Sequence, residues 1–77
     1  MTSVNLDEWP VGRDALIRNV EGPPRLAELG VRPGGAIRVV QAAAHGAKVV
    51  ALGADRFALD GATCRGIEVA AAGQVTP

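Results

Sequence analysis

Short hydrophobic runs, several of them alternating with polar residues, follow one another along most of this chain, and glycine, proline or aspartate separates the runs. Runs of this length between turn-forming residues are typical of β-strands. The ten glycines and five prolines are spread so widely that they leave no room for a long helix. The pattern predicts an extended segment over 6–12 and then strands over 13–20, 36–42, 48–52, 56–59 and 66–69.

One short helix is predicted in the segment 23–30, which reads PPRLAELG. Proline is tolerated in a first helical turn, and Leu26 and Leu29 are spaced so that they can share a helix face. Gly30 stands where a helix ends. The segment therefore has room for one or two helical turns, and the letters VRPGG that follow predict a tight turn into the next strand.

Together these elements predict an all-β fold with one short helix, a small SH3-like, partly open β-barrel of about five strands. We expect a single domain over 1–77, with its core within 6–69 and a flexible tail over 70–77. The expected core consists of the inward positions of the predicted elements, which are Leu26, Leu29, Ile37, Val39, Phe57, Leu59, Ile67 and Val69.

Composition limits the stability of this core. Of the 77 residues, 14 are alanine, and only 22 are larger hydrophobic residues other than cysteine. A core of this size contributes a net stability of about 3–5 kcal/mol, which small domains usually supplement with disulfides, a metal or self-association. Cys64 is the single cysteine, so no disulfide can form within the chain, and a reducing, cytoplasmic location is expected. The sequence leaves open whether a weakly bound divalent metal or weak homo-oligomerisation adds to this stability.

The charge pattern and the length of the hydrophobic runs argue against two kinds of association, one with nucleic acid and one with the membrane interior. Eight basic residues balance eight acidic ones, and no run of like charge is longer than two residues. Nucleic-acid binding requires a concentration of basic residues to neutralise phosphates, so we expect no nucleic-acid partner. The longest uninterrupted hydrophobic stretch has four residues, which predicts no insertion into a membrane.

Few residues of this chain are candidates for catalysis, metal binding or partner contacts. We expect no catalytic residues, because no nucleophile, base and charge-stabilising group stand in a recognisable arrangement. His45, in an alanine-rich loop, is either a solvated imidazole or a metal ligand, and Cys64 is either a small core residue or a reactive or metal-binding thiol. Trp9 either covers the end of the barrel or stands exposed as an interface anchor. One tryptophan, one phenylalanine and no tyrosine are too few aromatic rings for the groove with which SH3 domains bind proline-rich peptides.

The run LAELGVRPG over 26–34 resembles the FeoA family, whose domains carry a leucine-rich turn and then Leu-Gly-aliphatic-x-Pro-Gly before a strand. In the same order, the segments PVG over 10–12, VEG over 20–22, FAL over 57–59 and IEV over 67–69 are also similar to that family. Gly61 and Gly66 depart from the family pattern, in which helix-favouring residues are common at these positions.

This resemblance implies a non-enzymatic cytoplasmic accessory of bacterial ferrous iron uptake, which binds or modulates the membrane transporter FeoB and its GTPase domain. A similar SH3-like domain follows the DNA-binding part of DtxR-type iron-dependent repressors. The alternative function is therefore a free-standing divalent-metal-sensing or regulatory domain. In that case His45 and Cys64, with Asp55 or Glu68, would hold the ion; the accessory function requires no cofactor.

The partner surface is expected on loops and on the short helix, because the core and the paired strand edges are not available for binding. The corner between helix and strand offers Arg25, Glu28 and Arg32, and arginine is a common charged anchor at protein interfaces. Trp9 is the second candidate. We therefore predict partner contacts at Arg25, Glu28 and Arg32, with Trp9 as the alternative position.

Overall fold

The computed structural model describes residues 4–71 of the chain. Within them, six strands form one antiparallel sheet in the order β1-β6-β2-β3-β4-β5. The strands are β1 (Val4–Asn5), β2 (Asp14–Val20), β3 (Ala36–Ala42), β4 (Lys48–Leu52), β5 (Asp55–Leu59) and β6 (Ile67–Ala71). The prediction of an all-β fold is confirmed, and the strands over 36–42 and 48–52 have the predicted bounds.

Two α-helices, α1 (Arg25–Glu28) and α2 (Gly61–Arg65), and two 3-10 turns, Leu6–Glu8 and Ala44–Gly46, connect the strands. Helix α1 lies within the predicted helical segment. Helix α2 lies between the predicted strands over 56–59 and 66–69, where no helix was predicted. It forms because Asp60 accepts a hydrogen bond at 2.8 Å from the backbone N–H of Thr63, which satisfies one of the free donors at the start of a helix.

The core is a cluster of buried strand residues together with residues from both helices and from the turn Leu6–Glu8. Six of the eight expected core residues are buried, and a seventh, Phe57, is half-buried and packs against them. Further hydrophobic residues that the sequence pattern did not single out complete the core, which also contains Leu6, Val31 and Val50. Leu6 is buried because residues 6–8 form a 3-10 turn, with the Trp9 N–H donating to the Leu6 carbonyl at 3.0 Å, where an extended segment was predicted.

The expected core position of Leu29 is wrong, since its side chain is 43% exposed. Helix α1 ends in a Schellman motif: the N–H of Gly30 donates to Ala27 and the N–H of Val31 donates to Leu26, while Gly30 has a φ of +100°. This motif brings Val31 against Leu26, and both are 1% exposed. Val31 thus takes the core position, and Leu29 is left on the surface.

The predicted tail begins too early. Ala70 and Ala71 belong to β6, because they continue its pairing with β2 opposite Leu16 and Ala15. Residues 72–77 of the predicted tail lie outside the described residues. No helix in the described range 4–71 is long and apolar enough to cross a membrane.

Candidate protein interaction surface

The corner at helix α1 presents four exposed side chains, Arg25, Glu28, Leu29 and Arg32, which we call the helix corner. The first two belong to α1, and the other two lie in the turn between α1 and β3. Leu29 is one of two large hydrophobic residues that are strongly exposed within residues 4–71, the other being Val11. An exposed leucine flanked by charged residues resembles the composition of a small binding surface, in which an apolar centre has a polar rim.

Arg32 is held against the end of helix α1. Its Nε donates a hydrogen bond at 3.1 Å to the carbonyl of Ala27, which also accepts from the N–H of Gly30 at the end of the helix. The terminal amino groups of this guanidinium make no hydrogen bond or ion pair with other residues in the described range. They are available for a bidentate contact with a carboxylate of a partner.

The helix corner also lies within electrostatic reach of the start of helix α2. The pKa of Asp60 is lowered from its ordinary value, mainly by hydrogen bonds from the side chain and backbone of Thr63, with smaller contributions from the charges of Arg25 and Arg65. The charges of both arginines favour the ionised form of the Asp60 carboxyl.

The structure places Trp9 in the core, with an exposure of 8%. Its indole Nε1 donates to the carbonyl of Arg13 at 3.0 Å, and the Arg13 guanidinium lies 5.1 Å from the ring centroid. The ring thus covers the end of the core and its polar N–H is satisfied within the protein. The alternative of an exposed interface anchor at Trp9 is not what the structure shows.

Cys64 is fully buried on helix α2. Burial raises the pKa of its thiol, which therefore stays protonated at neutral pH, and the Sγ atom lies 3.7 Å from the carbonyl oxygen of Leu59 as a weak donor. A protonated, enclosed thiol is a poor nucleophile and a poor metal ligand. This geometry agrees with the reading of Cys64 as a small core residue.

The metal ligands that the alternative function requires are not brought together. Nowhere in residues 4–71 do three or more His, Cys, Asp or Glu side chains form a group that could hold an ion. His45 is exposed in the 3-10 turn between β3 and β4, where it has a left-handed φ of 62°. The proposed set of His45, Cys64 and Asp55 or Glu68 is therefore not assembled in this fold.

The two departures from the family pattern, Gly61 and Gly66, have a packing explanation. A Cβ at position 61 would clash with the carbonyl oxygen of His45, and a Cβ at position 66 would clash with that of Glu21. Glu21 also donates its N–H to the carbonyl of Gly66 at 2.7 Å. Glycine is required at both positions because helix α2 approaches neighbouring backbone too closely for any side chain.

Of the predicted contact residues, Arg25, Glu28 and Arg32 are exposed on helix α1 and the turn that follows it, whereas Trp9 is buried. The sequence analysis missed Leu29, the apolar member of the helix corner. A signal was present in the letters LGV over 29–31, because glycine at the end of a helix followed by an aliphatic residue indicates a Schellman motif, in which the aliphatic residue packs inward.

Comparison with known proteins assigns the chain to a family. The model of the FeoA domain matches residues 4–71, which is nearly the whole chain. No curated protein matches the sequence well enough to count as a relative.

Solved structures support the same assignment. The FeoA of Stenotrophomonas maltophilia, determined in complex with zinc and described as an SH3 domain protein and a candidate activating factor of ferrous iron transport, is 28% identical with a TM-score of 0.76; the match covers 87% of this chain and 89% of that one. An iron uptake regulatory protein, also named FeoA, is 24% identical with a TM-score of 0.80, covering 90% of this chain and 96% of that one.

A third solved structure, FeoA from Chlorobium tepidum, is 23% identical with a TM-score of 0.82, and the match covers 95% of this chain and 74% of that one. At identities below 25% these likenesses show the fold, and with the Stenotrophomonas protein they confirm the predicted SH3-like architecture. FeoA domains form a small accessory family and are not a known enzyme class. From the match over residues 4–71 and the shared fold, the chain belongs to the FeoA domain family.

Proposed function

We propose that this chain is a non-enzymatic, cytoplasmic accessory protein of bacterial ferrous iron uptake, which binds or modulates a FeoB-like membrane transporter at its GTPase-bearing part. The observation that carries the proposal is the match of a FeoA domain to residues 4–71. The description of the Stenotrophomonas relative as a candidate activating factor of ferrous iron transport supports the same role.

The helix corner is the proposed contact surface. It is held by a rigid scaffold, since Leu26 and Val31 anchor both ends of the turn in the core. It combines an exposed aliphatic residue, Leu29, with two arginines, and exposed apolar groups ringed by charge mark protein contacts more often than isolated charges do. The guanidinium of Arg32 is partly fixed by its bond to Ala27, so less side-chain freedom is lost when a partner binds.

The metal-sensing alternative has less support. Zinc is bound to the Stenotrophomonas relative, but the residues of this chain that would hold an ion do not form a group within 4–71. Titration calorimetry with Fe(II), Zn(II) and Mn(II) separates the two functions. We expect no binding at micromolar or tighter strength, whereas a sensor would bind at least one of these ions that tightly.

The direct test of the proposed function is a binding assay between the purified chain and the GTPase-bearing part of the FeoB from the same organism. We expect saturable binding and a change in GTP hydrolysis or nucleotide release by the transporter part. If the assay showed no binding and no effect on the GTPase, the proposal would be refuted.

A further inference from the structure

A second surface, which shares no residue with the helix corner, lies on the exposed face of the sheet where strands β2 to β5 run side by side. The cross-strand register places Asp14 opposite Arg38, Arg38 opposite Ala51, and Ala51 opposite Arg56. These four residues therefore form one row across four strands. The row has charged residues at both sides and an alanine between the two arginines.

The row lines an open groove of about 500 Å³, which we call the Arg38–Arg56 groove. Small residues make up much of its lining, which includes Ala36, Ala51, Gly53 and Ala54. Adjacent strands lie about 4.8 Å apart, so two arginines separated by one strand stand roughly 10 Å apart at their backbones. The absence of a large side chain at Ala51 leaves the space between the two guanidinium groups free.

The two arginines are in different electrostatic states. Arg38 donates from Nε to Oδ1 of Asp14 at 2.6 Å, and this hydrogen bond, together with the arginine charge, lowers the pKa of the Asp14 carboxyl. Arg56 makes no ion pair or side-chain hydrogen bond with any other residue of the described range. The groove thus carries one arginine in an ion pair and one arginine that forms no direct ion pair within residues 4–71.

We propose that the Arg38–Arg56 groove binds an extended acidic segment of a protein, with a carboxylate of that segment on the guanidinium of Arg56. A planar guanidinium pairs with a carboxylate in bidentate geometry. The groove is much larger than one carboxylate and open to solvent, so a chain can pass through it and place further atoms against the alanines that line it.

A nucleic acid fits the groove less well than an acidic peptide. Phosphate binding draws its affinity from several cations that act together, and here the carboxylate of Asp14 lies on the wall beside Arg38. The formal charge of the whole chain is zero, so no wider positive field supports a polyanion. This inference goes beyond the proposed function, because its surface is not the helix corner and its test does not involve FeoB.

The test is titration of the full chain with a fluorescein-labelled peptide of alternating glutamate and serine, and with the same peptide carrying glutamine for glutamate. Fluorescence anisotropy measures affinity, and amide shifts in two-dimensional NMR locate the site. We expect the glutamate peptide alone to bind and to shift the amides of Ala51, Gly53 and Ala54. A length-matched single-stranded DNA is the nucleic-acid arm and is expected to bind more weakly than the glutamate peptide.

Three variants test the site, and one of them is a charge-matched control. Arg56→Gln is expected to weaken binding of the glutamate peptide by roughly fivefold or more, because it removes a charge-assisted hydrogen bond. Arg65→Gln, which removes the same charge from a helix that does not line the groove, is expected to leave affinity unchanged. Asp14→Asn is expected to tighten binding, since it releases Arg38 for the ligand. Absence of peptide binding, equal loss in the two arginine variants, equal binding of the glutamine peptide, or tighter binding of DNA would each overturn the proposal.

Discussion

The α-carbon of Gly61, at the start of helix α2, lies so close to the carbonyl oxygen of His45 that a side chain at position 61 would overlap that oxygen. This contact fixes the short helix α2 against the turn between β3 and β4. Because the opposing atom belongs to the backbone, it cannot move aside as the end of a flexible side chain could. His45 itself has a left-handed φ of 62° in this turn.

Gly61→Ala is therefore expected to destabilise the protein, although replacing glycine by alanine in a helix usually has the opposite effect. The expected loss in the free energy of unfolding is about 1–3 kcal/mol, as for other substitutions that force extra atoms into a packed site. Urea denaturation measures it. The control is Ala62→Ser, an exposed change in the same helix, with an expected effect within about 0.5 kcal/mol. Equal stability of Gly61→Ala and the parent would contradict the close contact.

Two leucines that the sequence analysis treated alike should behave differently. Leu59 is 5% exposed and Leu29 is 43% exposed. Leu59→Ala is expected to lower the free energy of unfolding by roughly 2–5 kcal/mol, because it leaves a cavity in the core. Leu29→Ala is expected to change it by no more than about 0.5 kcal/mol. Thermal and urea unfolding of both variants decide the matter; a costly Leu29→Ala would mean that this leucine packs inward.

Much of the fold could be predicted from the sequence because its elements are local. Alternation predicted the strand over 36–42, a run of β-branched residues predicted the strand over 48–52, and Pro-Pro with Leu-x-x-Leu predicted helix α1. Leu29 was wrongly predicted to be buried, because two leucines three residues apart usually share one helix face. Helix α1 has only four residues, and the chain changes direction at Gly30, so Val31 packs inward and Leu29 stays exposed. The Arg38–Arg56 groove could not be predicted, because it depends on the register of four strands.

The stability of the protein should depend on pH through Asp60, the residue that caps the start of helix α2. The pKa of Asp60 is lowered in the folded state, so its stabilising contribution is fully present above the unfolded pKa, about 3.9, and is lost as the pH falls through the folded value. The parent should therefore have a higher Tm than Asp60→Ala at pH 7, with the difference shrinking below about pH 4. Scanning calorimetry at pH 7, 5 and 3 measures it.

The control for this pH series is Asp55→Ala, which removes an exposed aspartate at the start of β5 where no helix is capped. Its Tm difference from the parent is expected to be small at all three pH values. A Tm difference for Asp60→Ala that stayed constant from pH 7 to pH 3 would show that the carboxylate does not stabilise helix α2 through its charge.

Cys64 should be unreactive in the folded protein. Burial both encloses the thiol and raises its pKa, so little thiolate is present and little reagent reaches it. We expect slow labelling by a thiol-specific disulfide reagent under native conditions and rapid labelling in concentrated urea. Fast native labelling, or a loss of zinc affinity in Cys64→Ser, would instead favour a functional thiol and with it the metal-sensing alternative.

The central claim is that the helix corner is the surface that binds the transporter. The most direct measurement is the affinity of the GTPase-bearing part of FeoB for the parent chain and for the double variant Arg25→Glu with Arg32→Glu, by titration calorimetry. Both side chains are exposed, so circular dichroism should show an intact fold. A charge-matched control reverses Arg13 and Arg65. The account predicts that the corner variant binds about tenfold more weakly or worse, a change of about 1.4 kcal/mol, while the control binds like the parent. Unchanged affinity in the corner variant, or an equal loss in both double variants, would contradict it.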